Sequence, residues 1–223
     1  PAVFDPNRRG SKNLGTDGKP GQLGDIAAMM LMTLLYTARV ARFDLFRAIN
    51  FLAKRITRWD NKCDRRLHQL MCYVKCTAKQ RMLGWIADNP KDLTAHIFCD
   101  ADFAGCPYTL RSTSGVHADI QRPNSRFLWS AGSNGQTSRA QSSTEAELDS
   151  LNSGMKSRGE PGMELWSILL AQYHQDSSDW RFTICVHEDN TPAIQGARTG
   201  KNPSHKTLER GFGVSIGWIN EKI

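Results

Sequence analysis

The chain has 223 residues, of which 39% are hydrophobic and 23% charged, a composition typical of a globular protein with one or two domains. It carries a net charge of +7, and its longest apolar run, 11 residues from Ile26 to Tyr36, is too short to span a bilayer. No charged and apolar leader with a small-residue cleavage site opens the chain, so we expect neither a membrane span nor a secretory signal.

The first part of the chain is predicted to be an arm followed by helices. Residues 1–24 are rich in Gly, Pro, Lys and Asn, which predicts a flexible arm or linker. Asp25 is a suitable N-cap for a first helix that is almost wholly apolar and therefore expected to be buried. Two more helices are predicted, the last beginning at Asp60 or Asp64, so residues 25–78 should form a small helical subdomain.

Positive charge is concentrated in this helical region. Residues 37–82 hold 12 Lys and Arg against 3 Asp, a local net charge of +9. Arg65, Arg66 and Lys75 are predicted to lie opposite the apolar stripe of the third helix. Such a surface could hold nucleic-acid phosphates, but an ordinary solvated helix face has the same charge pattern, and charge alone does not decide between them.

Strand patterns dominate after residues 79–93, a Pro-containing stretch predicted to be a linker, in which Met82, Leu83, Trp85 and Ile86 could form a short strand. Strands are expected at 94–100, 115–120, 126–130 and 180–187. Between the third and fourth strands we expect a polar loop at 131–141, a helix at about 144–158 that Pro161-Gly162 breaks, and a second helix from Met163 to Tyr173. A further helix should begin near Pro192, and the chain should end in a helix or strand over about 206–223.

Carboxylates stand at strand ends and at one helix start. The residues concerned are Asp100, Asp102, Glu145, Glu147 and Asp189. Taken alone, the stretch S-S-T-E-A-E predicts a helix N-terminus capped by Ser143 or Thr144 and nothing more. Taken with the strand-end aspartates, it predicts a group of carboxylates that can gather around divalent metal ions.

The six cysteines show no spacing typical of a zinc site or of a disulfide framework. Cys72 and Cys76 stand four residues apart in a helical stretch, without a second pair or a nearby His at metal-ligand spacing. The pattern therefore predicts reduced thiols, as in an intracellular protein of the cytoplasm or nucleus, in preference to a zinc or disulfide framework.

Several motifs occur in the order of one known family. They are C-D-A-D-F-A-G-x-P from Cys99, R-S-T-S-G from Arg111, W-S from Trp129, S-S-T-E-A-E from Ser142 and E-D-N-x-x-A-I from Glu188. This series is similar to the ribonuclease H domain of copia-type LTR retrotransposon polyproteins. Upstream, L-L-Y-T-A-R, R-F-D, A-I-N and Y-V-K-C-T resemble the family's thumb and connection, which follow the reverse transcriptase palm. The resemblance covers about residues 25–223.

The resemblance implies an α/β fold and a nuclease activity. Residues 94–223 should form a five-stranded mixed sheet of strand order 3-2-1-4-5, flanked by helices and preceded by the helical subdomain. The implied activity is metal-dependent endonucleolytic hydrolysis of the RNA strand of an RNA–DNA hybrid, with two Mg²⁺ ions, for which Mn²⁺ can substitute, and no small-molecule cofactor. The implied partners are the hybrid and the reverse transcriptase palm of the same polyprotein.

Matched position by position, the resemblance implies Asp100, Glu147 and Asp189 as catalytic metal ligands, with Asp102 and Glu145 as second choices. Glu209 stands where the family has its fourth carboxylate, an Asp, although the following R-G-F-G departs from the family pattern. His205 precedes it, where related enzymes keep a His for product release. A lone exposed His would look the same.

Further residues are expected to contact nucleic acid. Asn190 and Ser143 stand beside the implied catalytic residues and could contact the 2′-OH groups that distinguish RNA from DNA. Arg65, Arg66 and Lys75 could hold the hybrid's backbone without base specificity.

Two departures favour a second hypothesis. Pro161-Gly162 interrupts a helix that is usually continuous in the family, and Gly211, Gly213 and Gly217 weaken the last helix. The alternative is a catalytically inactive, retroelement-derived nucleic-acid-binding or structural module.

Overall fold

The computed structural model describes residues 19–173, 182–200 and 214–222. The chain divides into two compact units, Pro1–Met82 and Leu83–Ile223. The division falls inside the stretch 79–93 that the sequence predicts as a linker. Most of the predicted arm, residues 206–213 of the predicted last element, Glu209 and His205 lie outside the described residues.

The first unit contains three helices: α1 (Gly24–Ala41), α2 (Phe46–Ala53) and α3 (Asn61–Cys76). Short 3₁₀ turns at Phe43–Leu45 and Ile56–Arg58 precede and follow α2. All three helices contribute fully buried leucines or isoleucines, among them Leu31, Ile49, Leu52, Leu67 and Leu70. The three- and four-residue apolar spacing of the sequence thus corresponds to a small helical core.

The two aspartates predicted as alternative starts of α3 have different roles. Asp60 is the N-cap, and its side chain accepts a hydrogen bond from the backbone N–H of Cys63 at 2.8 Å. Asp64 instead accepts hydrogen bonds from the backbone of Gln22 at 2.6 Å and Leu23 at 3.1 Å. Asp64 therefore fixes the segment that leads into α1, which begins at Gly24 without a side-chain cap.

The prediction that α1 is buried is wrong. Its buried residues are Ala27, Leu31 and Ala38, whereas Met29, Tyr36 and Val40 are 66–77% exposed. The helix is apolar on nearly all sides, and the described residues of its unit cover only one of them. By length and composition alone α1 could also cross a membrane, a test that core helices and signal sequences pass equally.

The second unit is built on a five-stranded mixed sheet flanked by helices, an α/β fold. Its strands are β1 (Trp85–Ile86), β2 (Ala95–Asp102), β3 (Thr113–Arg122), β4 (Ser125–Gly135) and β5 (Ile184–His187). They lie in the order β1-β4-β3-β2-β5, and every neighbouring pair is antiparallel except β2 and β5, which are parallel.

The predicted strand order 3-2-1-4-5 is wrong. The four strands expected after residue 93 are β2, β3, β4 and β5, and they neighbour one another as β4-β3-β2-β5. The fifth strand is the short β1, which pairs with the outer edge of β4. The hydroxyl of Ser125 holds the chain after β1, because it accepts hydrogen bonds from the backbone of Ala87 and Asp88 at 3.1 and 3.0 Å. Part of the predicted linker therefore belongs to the sheet.

The helices of this unit are α4 (Ser143–Gly154), α5 (Glu160–Leu170), α6 (Thr191–Thr199) and α7 (Ile216–Lys222). The predicted break at Pro161-Gly162 is absent, because a single π-helical stretch, Met155–Gly159, joins α4 to α5. Pro161 lacks an N–H and its ring crowds the preceding turn, so a widened turn accommodates it without ending the helix.

One face of the sheet packs against the helices. Ile97 and Cys99 of β2 and Val116 of β3 join Leu148 and Leu151 of α4 in one buried cluster. Residues of a strand alternate between its two faces, so His96, Phe98 and Asp100 lie on the opposite face from this cluster. The sheet therefore separates a packed side from a side that carries polar and aromatic groups.

Candidate metal centre

Three carboxylates converge at one end of the sheet. Asp100 lies near the end of β2, Asp189 follows β5 by two residues, and Glu147 lies near the start of α4. Each offers an oxygen, and these oxygens lie within 4.8 Å of one another. Because β2 and β5 are parallel, their carboxyl ends meet at the same edge, where ligand sites of α/β sheets commonly form.

The start of α4 determines which glutamate enters the group. Ser142, and not Ser143 or Thr144 as predicted, is the N-cap, and its hydroxyl accepts a hydrogen bond from the N–H of Glu145 at 3.1 Å. The carboxylate of Glu145 accepts in turn from the N–H of Gln141 at 2.6 Å. Glu145 is thereby occupied in a capping arrangement, and Glu147, about 200° further round the helix, faces the aspartates.

Close packing holds α4 against the sheet. The hydroxyl of Ser150 donates a hydrogen bond to the backbone carbonyl of Asp100 at 2.9 Å. Four residues later, a Cβ on Gly154 would stand 2.8 Å from the sulfur of Cys99 and 3.1 Å from Val116. The absence of a side chain at Gly154 thus allows the helix to approach the sheet closely enough for Glu147 to reach Asp100.

Glu147 is only 6% exposed, and this burial is the largest cause of its shifted pKa. Burial, and after it the negative charges of Glu188, Asp100 and Asp189, together raise the pKa of Glu147 to about 8, against a hydrogen bond from the backbone of Ala101 that lowers it. Without a cation, this carboxyl is therefore held largely protonated at neutral pH.

Glu188 is a fourth acidic group that the sequence analysis did not single out. Burial, with a contribution from the charges of Asp189 and Asp100, raises its pKa to about 7. One of its oxygens accepts a hydrogen bond from the backbone N–H of Asn190 at 3.1 Å. Its only sequence signal was its place in E-D-N, where the family resemblance implies Asp189 as the ligand.

Glu147 and Glu188 share an unusual property. In the described part of the chain, one buried oxygen of each carboxyl group has no hydrogen-bond partner. Buried polar atoms are seldom left in this state, and a position for a bound ion or water is a common reason. Both residues therefore present an unsatisfied oxygen to whatever binds beside them.

The other predicted carboxylates are not part of this group. Asp102 accepts a hydrogen bond from the backbone N–H of Thr113, and its carboxylate lies so close to Gly105 that no Cβ would fit there. Asp102 therefore holds the β2–β3 connection. Glu209, the predicted fourth carboxylate, and His205 are outside the described residues.

Two predicted nucleic-acid contacts lie beside the carboxylates. Asn190 is the N-cap of α6, and its side-chain oxygen accepts hydrogen bonds from the N–H of Ala193 at 3.0 Å and from the hydroxyl of Thr144 at 3.3 Å. Ser143 is exposed in the first turn of α4. A cavity of about 540 Å³ opens beside the carboxylates and is lined by Asp100, Asp189 and Arg198 among others.

The basic residues predicted on α3 do not share one face. Arg65 and Lys75 are exposed, but Arg66 is half-buried, with its guanidinium 4.5 Å from the ring centre of Phe51. Arg55 approaches the same ring at 3.7 Å. Arg66 and Lys75 are nine residues apart, about 180° around the helix, so they lie on opposite sides and do not form one surface for a nucleic-acid backbone.

A second group of potential metal ligands comprises His96, Cys185 and His187, whose ligand atoms also lie within 4.8 Å of one another. No sequence pattern indicates this group, because His96 and Cys185 are far apart in the chain and have no recognisable ligand spacing. Among its described residues, the second unit therefore has two possible metal-binding groups of different chemistry, one of carboxylates and one of nitrogen and sulfur.

Comparison with protein-family models, with curated proteins and with solved structures found no match to this chain.

Proposed function

We propose that the second unit is a ribonuclease H-like, metal-dependent endonuclease that hydrolyses the RNA strand of RNA–DNA hybrids. The observation that carries the proposal is the convergence of Asp100, Glu147 and Asp189, whose carboxylate oxygens lie within 4.8 Å of one another. The neighbouring order β4-β3-β2-β5 supports the proposal, since it corresponds to the 3-2-1-4 portion of the implied sheet.

The residues fit Mg²⁺. This hard cation prefers oxygen ligands and is commonly held by one or two carboxylates together with substrate phosphates. The unsatisfied oxygen of Glu147 and its raised pKa both indicate a position that favours a cation, because a bound cation would stabilise the ionised carboxylate that burial disfavours. The Glu188 carboxyl adds a further negative charge behind it.

The chain's own groups have separable roles in this proposal. Asp100 and Asp189 are exposed and reach the site from its solvent side, whereas Glu147 reaches it from the buried side. When bound, a pair of Mg²⁺ ions supplies an activated water and stabilises the charge on the leaving oxygen. Arg198, at the wall of the adjoining cavity, can attract the phosphodiester.

Recognition of the hybrid would draw on both units. Ser143 and Asn190 place a hydroxyl and an amide beside the carboxylates, where the 2′-OH groups of an RNA strand would lie. Arg65 and Lys75 of the helical unit are exposed and can contact phosphates. Arg66 would contribute less, because its guanidinium packs on Phe51.

The test is cleavage of an end-labelled RNA–DNA hybrid by the full chain in Mg²⁺. We expect cutting of the RNA strand alone and no cutting of duplex DNA. Asp100→Asn and Asp189→Asn should each reduce the rate by about 100-fold or more. Asp102→Asn is the matched control, since it changes a carboxylate on the same strand that holds a turn and should leave the rate nearly unchanged.

The same assay also tests the alternative function, a catalytically inactive nucleic-acid-binding module. The local charge of +9 over residues 37–82 favours this alternative. Salt-dependent binding of the hybrid without cleavage in Mg²⁺ or Mn²⁺ would support that function. Cleavage that persists at the original rate in Asp100→Asn and Asp189→Asn would instead show that another site is responsible.

A further inference from the structure

His96, Cys185 and His187 lie together on the polar face of the sheet. Cys185 and His187 are two residues apart on β5, so their side chains point to the same face. His96 is the register partner of Cys185 on the parallel neighbour β2. Strand alternation and strand pairing therefore bring a thiol and two imidazoles to one place.

The three side chains approach within ligand distance. The Nδ1 of His96 lies 2.8 Å from the Nε2 of His187, and all three potential ligand atoms lie within 4.8 Å of one another. Two nitrogens bound to one tetrahedral zinc ion would stand about 3.3 Å apart, given zinc–nitrogen bonds of about 2.0 Å. A change of about half an ångström, within reach of small rotations of two half-buried rings, would admit the ion.

We propose that His96, Cys185 and His187 form a binding site for Zn²⁺ or a chemically similar transition-metal ion. One thiolate and two imidazoles are the donor set that zinc prefers, whereas Mg²⁺ requires oxygen ligands. Three protein ligands leave one tetrahedral position for water or another ligand. Cys185 is exposed, so an ion can reach the site from solvent.

Neighbouring groups support the orientation of the ligands. The His96 ring forms a hydrogen bond with the backbone of Gln121, and His187 stacks on Phe98 with ring centres 4.1 Å apart and planes 8° from parallel. Contacts of this kind fix the orientation of metal-bound histidines. His96 is also the cross-strand partner of Asp119, a buried carboxylate.

This site is separate from the carboxylate group. His96 precedes Asp100 by four residues on β2, a distance of about 13 Å along an extended strand. Phe98, on which the ligand His187 stacks, lies between His96 and Asp100 on the same face of β2. The inference does not depend on nuclease activity, and an ion here would tie β2 to β5, the strands that carry Asp100 and Asp189.

The first test is titration of the full chain, freed of metal, with Co²⁺, which reports thiolate coordination through a charge-transfer absorption band. It is carried out in Asp100→Asn, so that the carboxylate group does not compete. We expect one thiolate-bound Co²⁺ per chain and displacement of the band by Zn²⁺. Cys185→Ser should abolish the band, and His96→Gln should weaken binding about tenfold or more. Cys76→Ser, a change at another exposed thiol, should leave the band unchanged.

The second test is alkylation of cysteines followed by mass spectrometry, with and without Zn²⁺. Cys72, Cys76 and Cys185 are all exposed, so the first two serve as controls within the same molecule. We expect Zn²⁺ to slow labelling of Cys185 and not of the other two. Absence of a cobalt–thiolate band, or a band that survives Cys185→Ser, or equal protection of all three thiols, would overturn the inference.

Discussion

After burial, the charge of Glu188 is the strongest influence that raises the pKa of Glu147. The two carboxyl groups come from α4 and from the segment after β5, and in the described part of the chain each keeps one buried oxygen without a partner. Burial and mutual repulsion disfavour ionisation of both carboxyl groups, and a bound cation would favour it.

The first prediction concerns stability and pH. The pKa of Glu147 is raised from 4.5 to about 8 on folding, so between these values the folded state holds a proton that the unfolded state has lost. The contribution of Glu147 is fully present below about pH 4.5 and is lost as pH rises towards 8. We measure the free energy of unfolding of Glu147→Gln and of the wild type by metal-free chemical denaturation. As pH rises from 5 to 8.5, the difference between them should change by about 1–3 kcal/mol in favour of the variant.

If this difference stays constant as pH rises, or changes in favour of the wild type, the burial of an acid at this position is contradicted. Saturating Mg²⁺ should reduce the difference, because it stabilises ionised Glu147 in the wild type and cannot do so in the glutamine variant.

The second prediction concerns Glu188. Removal of its charge by Glu188→Gln should lower the pKa of Glu147, so the acidic limb of the pH–rate profile for hybrid cleavage should move to lower pH. Loss of the negative charge should also weaken Mg²⁺ binding by about 10- to 100-fold. Glu164→Gln, at an exposed position of α5, is the control and should change neither quantity.

The third prediction concerns the approach of α4 to the sheet. Gly154→Ala places a methyl group 2.8 Å from the sulfur of Cys99, so it should lower the free energy of unfolding by about 1–3 kcal/mol. In the described residues, nothing lies within 4 Å of a Cβ built at Gly217 of α7, and Gly217→Ala should stabilise the protein by about 0.5–1 kcal/mol. If denaturant unfolding shows that both substitutions change the free energy of unfolding equally, the close packing of Gly154 against Cys99 is refuted.

The fourth prediction separates the basic residues of α3. Lys75→Ala should reduce the slope of log affinity against log salt for hybrid binding by about one, if Lys75 contacts a phosphate. Arg66→Ala should affect binding less and should destabilise the protein by about 0.5–2 kcal/mol, because its guanidinium packs on Phe51. Lys91→Ala, an exposed change in the second unit, is the control for fluorescence anisotropy and thermal denaturation. An unchanged salt slope in Lys75→Ala would remove this residue from the interface.

Local sequence signals predicted much of the second unit. Alternation of apolar residues located β2, β3 and β4 to within a few residues, except that β4 continues to Gly135 into the predicted loop. Asp100, Glu147 and Asp189 could be named because each lies at a strand end or helix start with a recognisable motif. Their mutual distance depends on the parallel pairing of β2 with β5, which a local pattern does not specify.

The features that sequence reasoning missed depend on long-range packing. A short strand that includes Trp85 and Ile86 is expected, but the pairing of β1 with β4 has no local sequence signal, because Ser125, far along the chain, stabilises it. The exposure of α1 follows from which sides its neighbours cover, which its composition cannot indicate. His96 and Cys185 become neighbours only through strand register.

The most direct test of the central claim is the location of Mn²⁺ by anomalous diffraction in crystals of the full chain soaked with this ion. The account predicts Mn²⁺ bound by Asp100, Glu147 and Asp189, and loss of that density in Asp189→Asn. Saturating Mn²⁺ that leaves these three carboxylates without an ion would contradict it.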